Sequence, residues 1–589
     1  KNVMLIEELR KSGLTFVSEK KEIVQSALTG KRPLFVVGGT VLLFFFSIFL
    51  VKVSEPKVLF FPDNQPNQIF VYIEFPEGTD IYKTDAFTKQ IEDKVYQVIA
   101  KYKDKDGENF MVESGIAIVG EGAGNPQTEG ASQNEMPHRG RITLTMRDFK
   151  YRKGVNSSDV LTEIREAVKG HAGVSVIVEK EQNGPPAGYP INIEISGEDY
   201  NAMLVEAERI KDFINEKNIQ GIEELKIDVN KSKPGVEISV DREKAGQLGI
   251  TSAQVGITLR RAIYGEKIST YKEGKDDYEI NVRFAEDLKN NYNALLNQPV
   301  TFRDQTNGQL QQVPIATLVN AQDNTSFNTI KRKNLKRVIT VYSNVLEGYN
   351  GNELVEKIKG ELQNYTMPED INYAFTGEQE EQAKNMGFLL YALLMAVASI
   401  ILILVAQFNS IFKPLIIMGA VVMSFIGVFL GLVIFKDEFV IIMTMMGIIS
   451  LAGIVVNNAI VLIDYTQLLI DRRIAELGLP EGTLLTKTDY FNAIVEGGRS
   501  RLRPVLLTAI TTVLGLIPLA IGLNIDFFSL FINYNPNIYF GGDNVIFWGP
   551  LAKTVIYGLI FATFLTLVVV PVMFYLLCLT QLKFQKVKK

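Results

Sequence analysis

Six stretches of this chain hold no charged residue over a length that spans the hydrocarbon of a bilayer, and they constrain its fold more than anything else in the sequence. They run 33–51, 386–406, 414–435, 439–463, 504–523 and 554–577. A hydrocarbon core about 30 Å thick is crossed by roughly 20 helical residues. In lipid a backbone must pair its own amides, so each stretch is expected as a helix. Six crossings return both ends to one side. The short segments on that side, from Lys1 through Lys413, Arg472, Arg473 and Arg499 to Lys589, carry 18 Lys and Arg against Lys436 and Lys553 on the other. A basic excess marks the cytoplasmic face, which leaves residues 54–383 outside the cytoplasm as one long loop.

The remaining composition excludes several function classes. With 61 Lys+Arg against 66 Asp+Glu, a net charge of −5 in 589 residues, the basic excess of a nucleic-acid binder is missing. One cysteine, Cys578, and two histidines, His138 and His171, leave no intrachain disulfide and no soft ligand set for zinc. No cofactor is expected, and no cluster of nucleophile, base and acid suggests an enzyme. The chain opens at Lys1 without a Met, which reads as an excerpt of a longer polypeptide. The segment Val3 to Leu28 mixes apolar residues with charges and fits either an amphipathic helix on the cytoplasmic surface or a solvated linker.

Within 54–383, strand and helix periodicities alternate. Ile69 to Glu74, Ile81 to Tyr102 and Phe110 to Val119 form one strand–helix–strand set; Gly140 to Met146, Ser157 to Val168 and Val174 to Val178 form another. Two such units in succession suggest a ferredoxin-like split βαβ. A second pair begins at Ile191 to Ile195, Ala202 to Ile214 and Ile222 to Val229. It is completed far downstream by Val338 to Tyr342, Glu353 to Leu362 and Ile371 to Phe375. Between its halves lies a small α+β insert with strands at 236–240, 267–271, 278–284 and 311–314 and helices near 242–248 and 251–262. The Gly-, Asn- and Gln-rich segment 120–139 lacks β-branched and aromatic runs and is expected as a loop between two strands, either a mobile element beside a cleft or a plain surface loop. It has no Gly-Lys-Ser/Thr ending for a phosphate.

Two runs then carry a resemblance: GIVVNNAIVLIDY from Gly453 to Tyr465, and GGRSRLRPVLLTAITTVLGLIPLAIG from Gly497 to Gly522. They resemble the tenth and eleventh membrane helices of resistance-nodulation-division (RND) transporters of the hydrophobe/amphiphile efflux branch. Phe60 to Asp80, Val240 to Val255 and Phe375 to Gln382 add matching stretches. The chain is similar to the C-terminal half of that architecture. The resemblance implies an α-helical membrane bundle of six helices, half of a twelve-helix fold, with a large periplasmic α+β portion of ferredoxin-like βαβ subdomains. Its divisions are a cytoplasmic linker at 1–32, the first transmembrane helix at 33–53, one porter subdomain at 54–188 and a second at 189–232 plus 323–383. A docking subdomain falls at 233–322, the remaining membrane helices at 384–580 and a cytoplasmic tail at 581–589. It further implies a homotrimer in the inner membrane of a Gram-negative bacterium, exporting hydrophobic or amphiphilic molecules in exchange for protons. The implied partners are a periplasmic adaptor, an outer-membrane channel, membrane lipid and the missing N-terminal half.

Coupling to protons needs a titrating group in the membrane, yet the six windows contain no acid or base; Asp464 falls at a window's end and Asp437 and Glu438 in a loop. Asn457 and Asn458 are the polar pair inside a window. From the residues alone they fit interhelical hydrogen bonds of about 1 kcal/mol each. By resemblance, Asn457 stands where well-studied drug pumps carry a lysine paired with two aspartates, and Asn458 matches the asparagine beside it. An amide cannot neutralise a carboxylate, so that salt bridge is not expected here. Arg501 and Thr508 match relay positions by resemblance; from composition Arg501 also fits a positive-inside anchor and Thr508 a backbone-bonded helix threonine. Gly447 and Gly453 fit close helix packing. For substrate, the resemblance points to strands flanking the 120–139 loop, with Ile116, Ile118, Ile142, Leu144 and Met146 as an aliphatic lining, though inward aliphatics are also what a βαβ core requires. Met111, Met136 and Met146 are scattered without a metal-binding motif. A protein-export accessory and a non-transporting scaffold are the competing readings.

Overall fold

A computed structural model describes residues 28 and 30–588, except 63, 126–135, 182–187, 230–232, 290, 304–307, 327–329, 347, 481 and 482. The segment 3–28, expected as an amphipathic helix or a solvated linker, lies outside the described residues apart from Leu28, which is buried among the long apolar helices. The chain divides into two compact units: residues 1–75, 81–228 and 332–589, and residues 76–80 with 229–331.

The first unit opens with α1 (Arg32–Ser54), an apolar helix with Pro33 in its first turn, where the missing amide hydrogen costs nothing. A short strand β1 (Val58–Leu59) follows. A four-stranded antiparallel sheet is built by β2 (Gln68–Glu74), α2 (Ile81–Ile99), β3 (Val112–Val119), β4 (Arg139–Met146), α3 (Ser157–Ala167) and β5 (Ser175–Lys180), in the order β3-β4-β2-β5. Alternate residues of these strands, among them Ile69, Val71, Ile73, Ile142, Leu144 and Val178, are buried with Ile91 and Val95 of α2 and Val160 and Ile164 of α3. This sheet is therefore covered by helices on one face only.

A second sheet with the same strand order starts with β6 (Ile191–Gly197), α4 (Tyr200–Glu216) and β7 (Lys226–Ile227). Asp199 caps α4 by accepting from the Asn201 and Ala202 amides. The other unit interrupts this sheet, with β8 (Lys233–Val240), α5 (Arg242–Gln247), α6 (Ser252–Tyr264), β9 (Glu266–Glu273), β10 (Asp276–Val282), α7 (Glu286–Lys289), α8 (Tyr292–Leu296), β11 (Pro299–Arg303), β12 (Leu310–Pro314) and β13 (Val319–Ser326). Helix α6 begins at a reciprocal capping box between Thr251 and Gln254. Strands β11 and β13 go beyond the expected set. The sequence of β13, VNAQDNTS, has no apolar alternation, because its register comes from antiparallel pairing with β8. The first unit resumes with β14 (Lys331–Lys333), β15 (Lys336–Ser343), α9 (Gly351–Leu362) and β16 (Ile371–Phe375), completing the order β7-β15-β6-β16 with β14 also alongside β15.

The other five long apolar helices are α10 (Glu378–Phe408), α11 (Phe412–Phe435), α12 (Ile441–Glu476), α13 (Lys487–Ile521) and α15 (Asp543–Lys588). Helices α10, α11 and α15 contain their expected windows whole, whereas the window 439–463 begins in a strand two residues before α12 and the window 504–523 ends two residues beyond α13. Asp464, expected at a helix end, lies inside α12, which continues to Glu476. Before α12, the strand β17 (Phe439–Val440) pairs in parallel with β1, Val58 opposite Phe439. Between α13 and α15 the chain forms β18 (Leu523–Asn524), a short helix α14 (Phe527–Asn533) and β19 (Tyr539–Phe540). Helix α15 packs closely on α11 and α12 through glycines. A Cβ built on Gly431 would lie 2.3 Å from the Tyr557 ring, and one on Gly558 2.1 Å from Leu451. Burial is uneven: 61%, 56% and 67% of the apolar windows of α11, α12 and α15 are buried, against 11% for α1, α10 and α13.

Candidate functional site

Two places gather the residues singled out from the sequence, and the first lies between α12 and α13. Adjacent residues of a helix diverge by about 100°, and Asn457 and Asn458 do so here. Asn458 is buried, and its side-chain oxygen accepts a hydrogen bond from Thr508 Oγ1 at 3.1 Å. Thr508 Oγ1 also lies 3.0 Å from the Val505 carbonyl, so one hydroxyl hydrogen has two acceptors within reach. Asn457 lies on the exposed side, with Gly453 four residues before it and Asp464 seven after. Arg501, half-buried, stacks its guanidinium carbon 4.3 Å from the centre of the Tyr465 ring. Its buried Nε has no acceptor among the described residues.

The structure thus joins Asn458 to Thr508 and Arg501 to Tyr465, leaving Asn457 open. Tyr465 was not anticipated; it lies 36 residues from Arg501, and only antiparallel packing of the two helices brings them together. The two glycines separate in the same way. A Cβ at Gly447 would come within 2.9 Å of Thr554, whereas one at Gly453 meets nothing within 4 Å. Close packing therefore occurs at Gly447, while no part of this chain approaches Gly453 among the described residues. At one end of the bundle, Asp437 accepts from Lys553 Nζ at 2.5 Å and from the Tyr557 hydroxyl at 2.6 Å, tying the loop after α11 to α15.

The second place is the boundary between the two sheets of the first unit. Ile142, Leu144 and Met146, expected as a substrate lining, are at most 4% exposed and belong to the helix-covered core. Strand alternation is the reason, since β4 turns Arg141, Thr143 and Thr145 to the other face. Register places Ile116 opposite Thr143 and Ile118 opposite Arg141, so these two lie on the face without helices. Ile116 is 55% exposed. Phe70 and Tyr72 of β2 occupy the same face, their rings stacked at 5.9 Å. The face is therefore partly aromatic, not only aliphatic as expected; the alternation of QIFVYIE held that signal.

A cavity of about 270 Å³ lies at this boundary, with Phe60, Phe61 and Tyr349 in its walls beside Glu179, Glu223 and Arg165. Glu179 also borders a smaller one of about 60 Å³, lined by Glu74, Arg139 and Lys226. Arg139 pairs with Glu74 at 2.7 Å and Lys226 with it at 3.4 Å. Burial pushes the Glu74 carboxyl up, but these two cations outweigh it and leave it lower than usual. Glu179 accepts from the side-chain amides of Asn344 at 2.5 Å and Asn125 at 3.2 Å. Burial, helped by Glu223, lifts it from 4.5 to about 7. Burial likewise raises Glu223, which Arg165 approaches at 3.8 Å. None of these charged residues was singled out from the sequence, because their partners come from segments separated by up to 165 residues. No group of three or more His, Cys, Asp or Glu suited to a metal occurs among the described residues.

Residues 18–525 match the model of the AcrB/AcrD/AcrF family. The chain is 29% identical over 59% of its length to the swarming motility protein SwrC of Bacillus subtilis, covering 29% of that protein. It is 25% identical over 65% of its length to the cobalt-zinc-cadmium resistance protein CzcA of Cupriavidus metallidurans, covering 33% of it. Against the multidrug resistance protein MdtC of Erwinia amylovora the identity is 26% over 59% of this chain and 31% of the relative. A crystal structure of a heavy metal efflux pump superposes with a TM-score of 0.69 at 23% identity, covering 96% of this chain and 52% of that one. The chain thus spans about half the length of that pump, and its matches cover about a third of each of these relatives.

Proposed function

Since the chain belongs to the AcrB/AcrD/AcrF family of RND permeases, we propose that it is the C-terminal half of a proton-driven exporter of hydrophobic or amphiphilic small molecules. On this reading the two sheets are ferredoxin-like porter subdomains, the inserted unit is a docking subdomain, and both lie in the periplasm. The transporter works as a homotrimer in the inner membrane with an adaptor and an outer-membrane channel.

The observation that carries the reading is the polar surface on α12 and α13 that this chain leaves uncovered. Asn457 and Asp464 are exposed, and the Arg501 Nε is buried without an acceptor among the described residues. Charged and amide groups on membrane helices are costly unless they meet partners. The companion half supplies those partners as carboxylates. When they lose protons, Arg501 turns from Tyr465 toward them; when they are protonated, it returns. Arg501 stays charged throughout, so it responds to the proton carriers without carrying a proton. Thr508 and Asn458 hold the two helices in register beside it.

Cargo occupies the boundary between the subdomains, where aromatic and aliphatic walls take apolar surface without directional demands. Metal cargo is the second reading, prompted by the heavy-metal relatives. The soft donors argue against it: Met111 and Met146 are core residues, and the Met136 sulfur lies against Arg139 Nη1 at 3.7 Å. The deciding experiment is resistance of a pump-deletion strain carrying the full-length protein. Protection against detergents and dyes with none against zinc or cobalt supports the proposal. Protection against metals alone overturns the cargo assignment, and protection against neither favours a scaffold or export accessory.

A further inference from the structure

The link between α13 and α15 is longer and more ordered than a turn between two membrane helices requires. Its ends are zipped by pairing of Leu523 with Phe540 and Asn524 with Tyr539. Asn524 donates to the Gly522 and Gly541 carbonyls at 3.0 and 2.6 Å. Asp526 caps α14, accepting from the Ser529 amide at 3.0 Å, and the Asn537 side chain donates to Ser529 Oγ at 2.9 Å. Asn524, Asp526, Ser529 and Asn537 are thus bonded within the hairpin. Its large apolar side chains point outward: Phe528 is 83% exposed, Phe531 77%, Ile532 73% and Tyr534 90%. Trp548, the chain's one tryptophan, follows on the first turns of α15 and is 41% exposed.

An element with hydrogen bonds inside and aromatics outside is inverted for water and suited to the bilayer interface, where aromatic side chains concentrate. Connectivity places it there too, because it joins the ends of two helices long enough to cross. No Lys or Arg occurs between Arg503 and Lys553, so attraction to anionic headgroups has no basis in this segment. The hairpin is also fixed to the first sheet of its unit. Asn67 donates to Asp543 at 2.7 Å and is itself held by the buried Arg152 at 2.6 Å. A Cβ at Gly541 would lie 2.7 Å from the Phe149 ring.

We propose that the hairpin 523–542 seats its aromatic face in the headgroup region of the non-cytoplasmic leaflet and there anchors the first sheet of its unit to the lipid surface. The occupant is phospholipid, bound through apolar contact and not through charge. The inference rests on the membrane orientation proposed above.

The test uses the full-length protein, with its other cysteines replaced, in phosphatidylcholine nanodiscs. Phe528→Cys and Phe531→Cys carry an environment-sensitive fluorophore, and Leu335→Cys, at a site 97% exposed, serves as the aqueous control. Tyr534→Cys substitutes if either phenylalanine variant fails to form the native oligomer. The expected result is quenching at 528 and 531 several-fold stronger by lipid spin-labelled near its headgroup than by iodide, with the opposite order at 335. Replacing half the lipid with phosphatidylglycerol leaves these values unchanged. Iodide quenching at 528 equal to that at 335, protection from both quenchers through cover by protein, or a strong dependence on phosphatidylglycerol each overturns the proposal. Separately, an impermeant maleimide added to intact spheroplasts labels Leu335→Cys only if the orientation itself is right.

Discussion

Arg501 and Glu179 are the two residues whose chemistry is most exposed to test. Arg501 stacks on Tyr465 while its Nε lacks an acceptor among the described residues. Arg501→Ala is expected to abolish export with expression and oligomer intact, measured as resistance in a pump-deletion strain. Asn457→Ala, which removes an exposed amide without a hydrogen bond among the described residues, is expected to lower export only modestly. Glu179 makes a pH prediction with a defined sign. A carboxyl whose affinity for its proton rises from 4.5 to about 7 on folding contributes stability that is full below pH 4.5 and lost as pH climbs through 7. The loss is on the order of 3 kcal/mol. Thermal unfolding of the wild type is therefore expected to occur at lower temperature at pH 8 than at pH 5, and Glu179→Gln should flatten that slope. Glu223, raised by burial in the same sense, leaves part of it. An unchanged slope in the variant would mean that Glu179 is already hydrated and ordinary.

At the scale of elements, glycines decide how closely α15 approaches its neighbours. Gly431 and Gly558 face side chains that a Cβ would overlap, at 2.3 and 2.1 Å, whereas Gly453 faces open space in this chain. Gly431→Leu is expected to cost about 2 kcal/mol or more through overpacking, seen as loss of monodisperse protein in detergent. Gly453→Ala separates two sources of packing: if it lowers yield as much as Gly431→Leu, a helix from outside this chain covers that position. The strands were legible where one face is buried. The alternation of QIFVYIE and RGRITLTM is visible by eye, and their register follows. Strand β13 was not legible, because a polar strand exposed along much of its length leaves no apolar period.

For the whole molecule, the uneven burial of the six helices is the informative quantity. Three have more than half of their apolar windows buried and three have 11%, which fits a bundle completed by a second half. The intact mass of the native polypeptide, extracted from membranes and denatured, is expected near twice the 65.9 kDa of this chain. A mass close to that of this chain would require the proton-carrying acids to come from a separate subunit, and would raise the scaffold reading.

The sequence by itself determined the six long apolar helices, the side on which charge accumulates, the twofold strand–helix pattern and the family motif. All of these depend on local composition and on periods of two or 3.6 residues, which a linear reading detects. Tertiary structure alone decided that Ile142, Leu144 and Met146 are core, that Phe70 and Tyr72 share the helix-free face with Ile116 and Ile118, and that Arg501 meets Tyr465. It also decided that Glu179 lies buried and accepts from the amides of Asn344 and Asn125. A carboxylate's environment is set by what distant segments bring to it, and Asn344 approaches Glu179 only after two sheets, one of them interrupted by a whole inserted unit, have closed against each other.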